Sequence, residues 1–193
     1  MSHDFDALVL AGGRGTRLGG VNKPELLLHG QRLVDRVIHA ARHAGAVRVV
    51  VAGEKASGAL ADAVLREDPP FAGPLAGIAA GIGAVQNPWC LILACDLEHP
   101  EAVVQVLLEN LDHRASDGLV LRDAHGYAQW LAGFYRTAAV AQACAELGDR
   151  LVNAPVRAAL GQLDLADLPV DDETTNDIDT MQALERARRN ERN

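Results

Sequence analysis

Arg14, Arg17 and Lys23 place three cations within ten residues, threaded among Gly12-Gly13, Gly15 and Gly19-Gly20. Glycine lets a backbone take positive φ and approach a ligand closely. Successive N–H groups turned outward form an anion cradle. Arg and Lys add the charge-assisted bonds that polyphosphate oxygens accept. The apolar run Ala7-Leu8-Val9-Leu10-Ala11 stands just before them and reads as a buried parallel strand. The glycines therefore fall at a strand's carboxyl end, where open α/β sheets bind their ligands. We read this stretch as a nucleotide phosphate loop. Its spacing matches neither common phosphate motif. A G-x-G-x-x-G read from Gly13 meets Leu18 at the third glycine, and no glycine here is followed by Lys-Ser/Thr.

Asp96 is the second candidate. It follows the buried run WCLILA at residues 89–94, so it too falls at a carboxyl end. Magnesium takes hard oxygen ligands, commonly one or two carboxylates completed by phosphates, and Asp96 is suited to that. Its other role would be to cap or turn the chain into the helix at Pro100. Asp68 stands before Pro69-Pro70 and by itself reads as a solvated turn residue. Asn176, Asp177 and Asp179 are by themselves caps and turn residues before the last helix. Trp130 and Gln129 are suited to lining a pocket for a flat acceptor ring, and Trp130 is equally suited to a core. Cys90, Cys95 and Cys144 match no zinc spacing and read as small core residues. His39 and His43 share a helical face without a third ligand nearby.

The pattern L-A-G-G-x-x-x-R-L-G-G-x-x-K at Leu10-Ala11-Gly12-Gly13, Arg17, Gly19-Gly20 and Lys23 resembles the signature loop of nucleotidyltransferases that activate small molecules with an NTP. It is most similar to the molybdenum cofactor guanylyltransferase family. Gly73-Pro74-Leu75-Ala76-Gly77, Cys95-Asp96 and Asp177-Ile178-Asp179-Thr180 resemble that family's later segments, although this chain has Asp where the family often has Asn, and Met181 where it often has Pro. The resemblance implies that an acceptor phosphate attacks the α-phosphorus of GTP and pyrophosphate leaves. It implies nucleotide contacts from Leu10, Ala11, Gly12, Gly13, Gly15, Lys23, Asp68 and Asp96. Arg17 and Lys23 would be the catalytic cations, and Asp96 with Asp177 would hold Mg²⁺. Which of Asn176, Asp177 and Asp179 completes the metal site stays open, with the family pattern favouring Asp177. The implied acceptor is molybdopterin carrying molybdenum, and the implied protein partners are transient ones that deliver or receive the cofactor. Ala11-Gly12-Gly13 replaces the Ala-Ala-Gly common in the cytidylyl branch, which leans the base towards guanine. Cytidylyl transfer, sugar-phosphate nucleotidyl transfer and a non-catalytic NTP-binding regulator remain as alternatives.

The elements that must position these residues follow from periodicity. Apolar spacing predicts helices over 32–44, 56–66, 73–85, 100–111, 137–147, 154–160 and 181–189. Gly45 is the expected C′ residue of the first, and Thr137 the expected N-cap of the fifth. Strands are expected over 47–52, 89–94 and 118–122, with a hairpin loop at 123–126 returning through 127–135 and a weak strand over 163–170. This alternation predicts one domain over 1–193 with a three-layer, Rossmann-like nucleotidyltransferase fold, its sheet mostly parallel with one antiparallel strand. With 49% hydrophobic residues the chain can fill a core, and its net charge of −8 opposes general nucleic-acid binding. No run of 18 apolar residues suggests a membrane span. The polar start MSHDFD lacks a signal peptide's basic and apolar regions, so a cytoplasmic location is expected.

Overall fold

All seven residues of β1 (Phe5–Ala11) are buried, and the sheet is built outward from this strand. The computed structural model describes residues 4–12, 22–58 and 60–190. A 3-10 turn at Lys23–Glu25 and a small hairpin, β2 (Leu27–Leu28) with β3 (Gln31–Arg32), lead into α1 (Leu33–His43). Then come β4 (Val49–Gly53), β5 (Ala63–Leu65), α2 (Pro74–Ile82), β6 (Trp89–Ala94) and α3 (Pro100–Glu109). The rest is β7 (Gly118–Arg122), β8 (Ala128–Arg136), α4 (Thr137–Leu147), α5 (Arg157–Leu160), β9 (Leu165–Pro169) and α6 (Met181–Asn190).

The main sheet has the order β5-β4-β1-β6-β8. Its first four strands are parallel, and β8 reverses against β6 with Leu91 opposite Phe134. This is the expected mostly parallel sheet with one antiparallel member. β7 runs beside β8 across the Asp123–Gly126 turn and pairs in parallel with β9.

Alternate residues of each strand face opposite layers. Ala7 and Val9 meet α1 and α3 through Val37, Ile38, Val104 and Leu107, whereas Leu8 and Leu10 meet α2 and α4 through Leu75, Ile78 and Val140. Helices cover both faces, which is why the parallel strands are apolar at nearly every position. Gly77 and Gly81 let α2 lie close to β1. A Cβ at Gly81 would stand 2.4 Å from a Leu8 methyl, and one at Gly77 3.0 Å from a Leu10 methyl. The three cysteines are free and buried, and burial pushes the Cys90 thiol up to about 12.

Two expectations give way to tertiary structure. Residues 56–66 do not form a helix: a 3-10 turn at Lys55–Gly58 precedes the edge strand β5. The Asp62 carboxylate accepts the Val49 N–H at 2.7 Å and an Arg42 N–H at 2.9 Å, which ties the chain to the sheet edge. Val64 and Leu65 then pair with β4, a long-range gain that outweighs weak helical periodicity. Thr137 is not the N-cap of α4. Arg136 holds that position, and the Thr137 hydroxyl donates to the Asn87 carbonyl at 2.7 Å.

Asp6 is fully buried in β1 and accepts the Gln86 N–H (2.7 Å), the Asn87 N–H (3.1 Å) and the Asn87 side-chain amide (2.7 Å). It pins the turn between α2 and β6. Asp6→Ala would leave three donors unpaired, so we expect a loss of about 3 kcal/mol in urea unfolding. A loss below about 1 kcal/mol would mean that water replaces the carboxylate.

Candidate active site

At the carboxyl end of β6 the chain turns under β1, with the Cys95 N–H donating to the Leu10 carbonyl at 3.0 Å. Asp96 follows. A distant segment is then laid against it. Leu97 and Asp177 form an antiparallel bridge, the Glu98 N–H donates to the Asn176 carbonyl (2.9 Å), and the Ile178 N–H donates to the Asp96 carbonyl (2.8 Å). Ile178 is fully buried among Leu28, Leu33 and Leu184. Buried Glu98 accepts Arg186 of α6 on its carboxylate (3.1 Å) and Arg36 of α1 on its carbonyl (3.0 Å). These contacts fix two carboxylates, Asp96 and Asp177, at the rim of one cleft.

Lys23 begins the 3-10 turn anchored by buried Pro24. Its ammonium forms ion pairs with Asp96 and Asp179. Burial pulls its pKa down, but the charges and hydrogen bonds of Asp96 and Asp179 outweigh that and hold it above the ordinary lysine value. Asp177 stands at the cleft rim with an exposed surface. Lost hydration, then the charges of Asp96 and Asp179, push its carboxyl up to about 7. The local charge is thus short of cations. Two hard oxygen donors crowded this way fit a divalent cation such as Mg²⁺, which Asp96 and Asp177 would hold. Among the described residues no group of three His, Cys, Asp or Glu side chains forms a metal cluster.

Two clefts meet here. The first, about 460 Å³, runs from Lys23 and Asp96 past Gly12 to Glu67 and Phe71. The second, about 400 Å³, is bordered by Asp96, Gln129, Trp130, Arg157, Thr175 and Asp177. Ala94, Asp96 and Leu131 belong to both. Gln129 is held in place because its amide donates to Asp123 at 2.7 Å, and Asp123 also accepts the N–H groups of His125 and Tyr127 in the hairpin turn.

Of the residues read from the sequence, Leu10, Gly12, Lys23 and Asp96 line the first cleft. Ala11 borders a small recess beside it. Gly13, Arg14, Gly15 and Arg17 lie outside the described residues. Asp68 is exposed and lines neither cleft; its neighbour Glu67 is buried and lines the first. The chain leaves the edge strand β5 two residues before Glu67, and it is this exit that turns Glu67 rather than Asp68 towards the sheet's end. Gln129 and Trp130 face the second cleft. Glu67, Asn153, Arg157 and Thr175 are not singled out by sequence. The one available signal is the charge run Arg66-Glu67-Asp68 before two prolines.

The model of the MobA-like NTP transferase domain matches residues 7–166, which include β1, the first cleft and Asp96. The chain belongs to this family. Among curated relatives, this MobA-like chain is similar to molybdenum cofactor guanylyltransferase of Pseudomonas putida (strain GB-1), with 38% identity over 107 residues, 54% of each chain. It is also similar to the enzyme of that name in Pseudomonas fluorescens (strain SBW25), with 37% identity over 117 residues, 59% of this chain and 57% of the relative. The matched part spans a little over half the length of these relatives. The MobA-like fold is shared along nearly the whole chain by the molybdopterin-guanine dinucleotide biosynthesis protein A of Archaeoglobus fulgidus. Its TM-score is 0.68 at 21% identity, covering 95% of this chain and 96% of the other. The 2-C-methyl-D-erythritol 4-phosphate cytidylyltransferase of Thermus thermophilus gives 0.68 at 19% identity, covering 98% and 100%.

Proposed function

We propose that this chain transfers GMP from GTP to the terminal phosphate of a molybdopterin acceptor carrying molybdenum, releasing pyrophosphate. The observation that carries the reading is the junction of two clefts at one carboxylate, Asp96, with Lys23 and Asp177 beside it. A donor nucleotide in the first cleft and an acceptor in the second would meet there. An acceptor phosphate oxygen bonds to the α-phosphorus while the bond to the bridging oxygen breaks, and the electron pair leaves with pyrophosphate. Positioning and charge neutralisation carry such a reaction.

Lys23 would exchange its carboxylate partners for phosphate oxygens and neutralise charge as the leaving group departs. The Gly12 backbone would allow the phosphates close approach. Asp96 and Asp177 would hold Mg²⁺, which when bound neutralises phosphate charge and aligns attacking and leaving oxygens. Trp130 would cover a flat acceptor ring, and the Tyr135 hydroxyl, donating to the Trp130 backbone carbonyl at 2.8 Å, holds the strand that carries it. Trp130→Ala should raise the acceptor KM about tenfold and leave the GTP KM unchanged. Equal effects on both constants would move Trp130 out of the acceptor site.

The guanine assignment is supported by the names of the curated relatives. No helix among the described residues is long and apolar enough to cross a membrane. A cytoplasmic setting, with transient contacts to proteins that supply or take the cofactor, belongs to the same proposal. The test is pyrophosphate release and dinucleotide product by mass spectrometry with molybdopterin, Mg²⁺ and either GTP or CTP. GTP-dependent product supports guanylyl transfer. Product from CTP alone replaces it with cytidylyl transfer, and nucleotide binding without pyrophosphate release replaces it with a regulatory role.

A further inference from the structure

Lys23, Asp96, Asp177 and Asp179 come from separate stretches of the chain, and α6 meets each of those stretches. Asp177 and Asp179 lie in the segment that leads straight into α6. Arg188 of α6 donates to the Leu27 carbonyl at 2.7 Å, shortly after Lys23 in the chain. Arg186 donates to the Glu98 carboxylate at 3.1 Å, shortly after Asp96. Leu184 and Ala187 seat the helix against Leu28, Leu33 and Ile178. Glu98, Arg186 and Arg188 are not among the residues lining the two clefts, so their part is not contact with substrate.

Glu98 is 3% exposed, and a buried carboxylate is costly unless a cation and hydrogen bonds meet it. Among the described residues Arg186 is the cation that hydrogen-bonds it, and the His99 imidazole stands 3.9 Å away. Two apolar side chains could fill the same space without that desolvation, so the ion pair adds little stability over such a replacement. What it adds is direction, because a guanidinium presents its donors to a carboxylate along fixed axes. The Glu98 main chain is held as well. Its carbonyl accepts Arg36 of α1 at 3.0 Å, and its N–H donates to the Asn176 carbonyl at 2.9 Å. Glu98 is thus gripped from α1, from α6 and from the segment carrying Asp177. That segment meets Asp96 through a short bridge, so a shift of α6 would move Asp177 relative to Asp96.

We infer that the Glu98–Arg186 ion pair is a positioning device: it holds α6, and with it Asp177, at the separation from Asp96 that a divalent cation needs. The inference rests on the metal-holding reading above. Mg²⁺ demands near-ideal octahedral geometry, so its affinity is sensitive to where its carboxylates stand. Partners that orient metal ligands from behind matter for the same reason, and losing one lowers affinity about 10–100-fold.

The test is Mn²⁺ binding to the whole chain, read from loss of the free-ion signal in electron paramagnetic resonance. Arg186→Met keeps a helix-forming stem and removes the charge, and it should bind Mn²⁺ about tenfold or more weakly than the wild type. Because it leaves Glu98 buried without its partner, the double variant Glu98→Met/Arg186→Met is measured beside it. The double variant should melt no lower than Arg186→Met and still bind Mn²⁺ about tenfold more weakly than the wild type. In pyrophosphate release, the Mg²⁺ concentration giving half-maximal rate should rise by the same factor, with kcat at saturating Mg²⁺ unchanged. A pair that only stabilises would lower the melting temperature and leave Mn²⁺ affinity alone. Wild-type Mn²⁺ affinity in the folded double variant therefore overturns the inference. So does a double variant that cannot fold, since the pair would then serve stability. If the wild type binds no Mn²⁺, the metal-holding reading of Asp96 and Asp177 fails as well, so the two failures are told apart.

Discussion

Replacing Asp96 with Asn should lower turnover about a thousandfold and leave the fold intact. The Asp96 side chain is 14% exposed, and its backbone carbonyl accepts the Ile178 N–H at 2.8 Å, a bond that Asn keeps. Asn also keeps the shape. What it removes is a negative charge at the point where the two clefts join. Lys23 would lose one of its carboxylate partners, and the pair proposed to hold a divalent cation would be reduced to Asp177 alone. Charge stabilisation by a bound metal or a preorganised donor contributes several kcal/mol, and each 1.36 kcal/mol is about tenfold in rate. The check is pyrophosphate release at saturating GTP and acceptor, together with thermal unfolding. Removing one charge from the crowded group relieves Asp177, so the melting temperature should not fall. Turnover within tenfold of wild type would remove Asp96 from the reaction centre.

Lys23→Ala should lower turnover about a hundredfold, with most of the loss in kcat. The ammonium is held by Asp96 and Asp179 above its ordinary pKa, so it is charged throughout the working pH range. It is also the sole cation among the described residues lining the first cleft. In the proposed transfer, charge developing on the departing pyrophosphate would have this partner close by, and loss of one such donor costs about 10²–10³-fold. Lys23→Arg should recover only part of the rate, because the planar guanidinium does not fit the space of a compact ammonium. Wild-type kcat with a raised GTP KM would instead make Lys23 a ground-state binding residue. Asp6→Ala is the control: it destabilises the chain far from the clefts and should leave kcat unchanged wherever the protein remains folded.

Much of the scaffold is legible from local pattern. Residues 7–11 and 89–94 read as strands because buried parallel strands are continuously apolar, and 118–122 as a short strand leading into a hairpin turn; β6 and β7 have those bounds. Gly45 closes α1 with φ +100°, as a C′ glycine does. Asp96 is legible for the same reason, since a carboxylate after a central parallel strand has one place to go. Residues 56–66 read as a helix only in isolation, because their fate depends on β4 and on Asp62 meeting Val49 and Arg42. No window of local sequence contains that partner.

By itself, then, the sequence determined the layer order, the glycine-rich stretch after β1, and which residue types stand at the ends of β1 and β6. These follow from short-range rules of side-chain period, glycine freedom and proline restriction. Tertiary structure alone decided that Asp177 stands beside Asp96, that Lys23 joins them, that Gln129 and Trp130 border the second cleft, and that Glu67 rather than Asp68 lines the first. Each of those outcomes is a contact between segments far apart in the chain, set by backbone pairing and by burial of Ile178 and Glu98, and the free energy of such contacts is not a property of either segment alone.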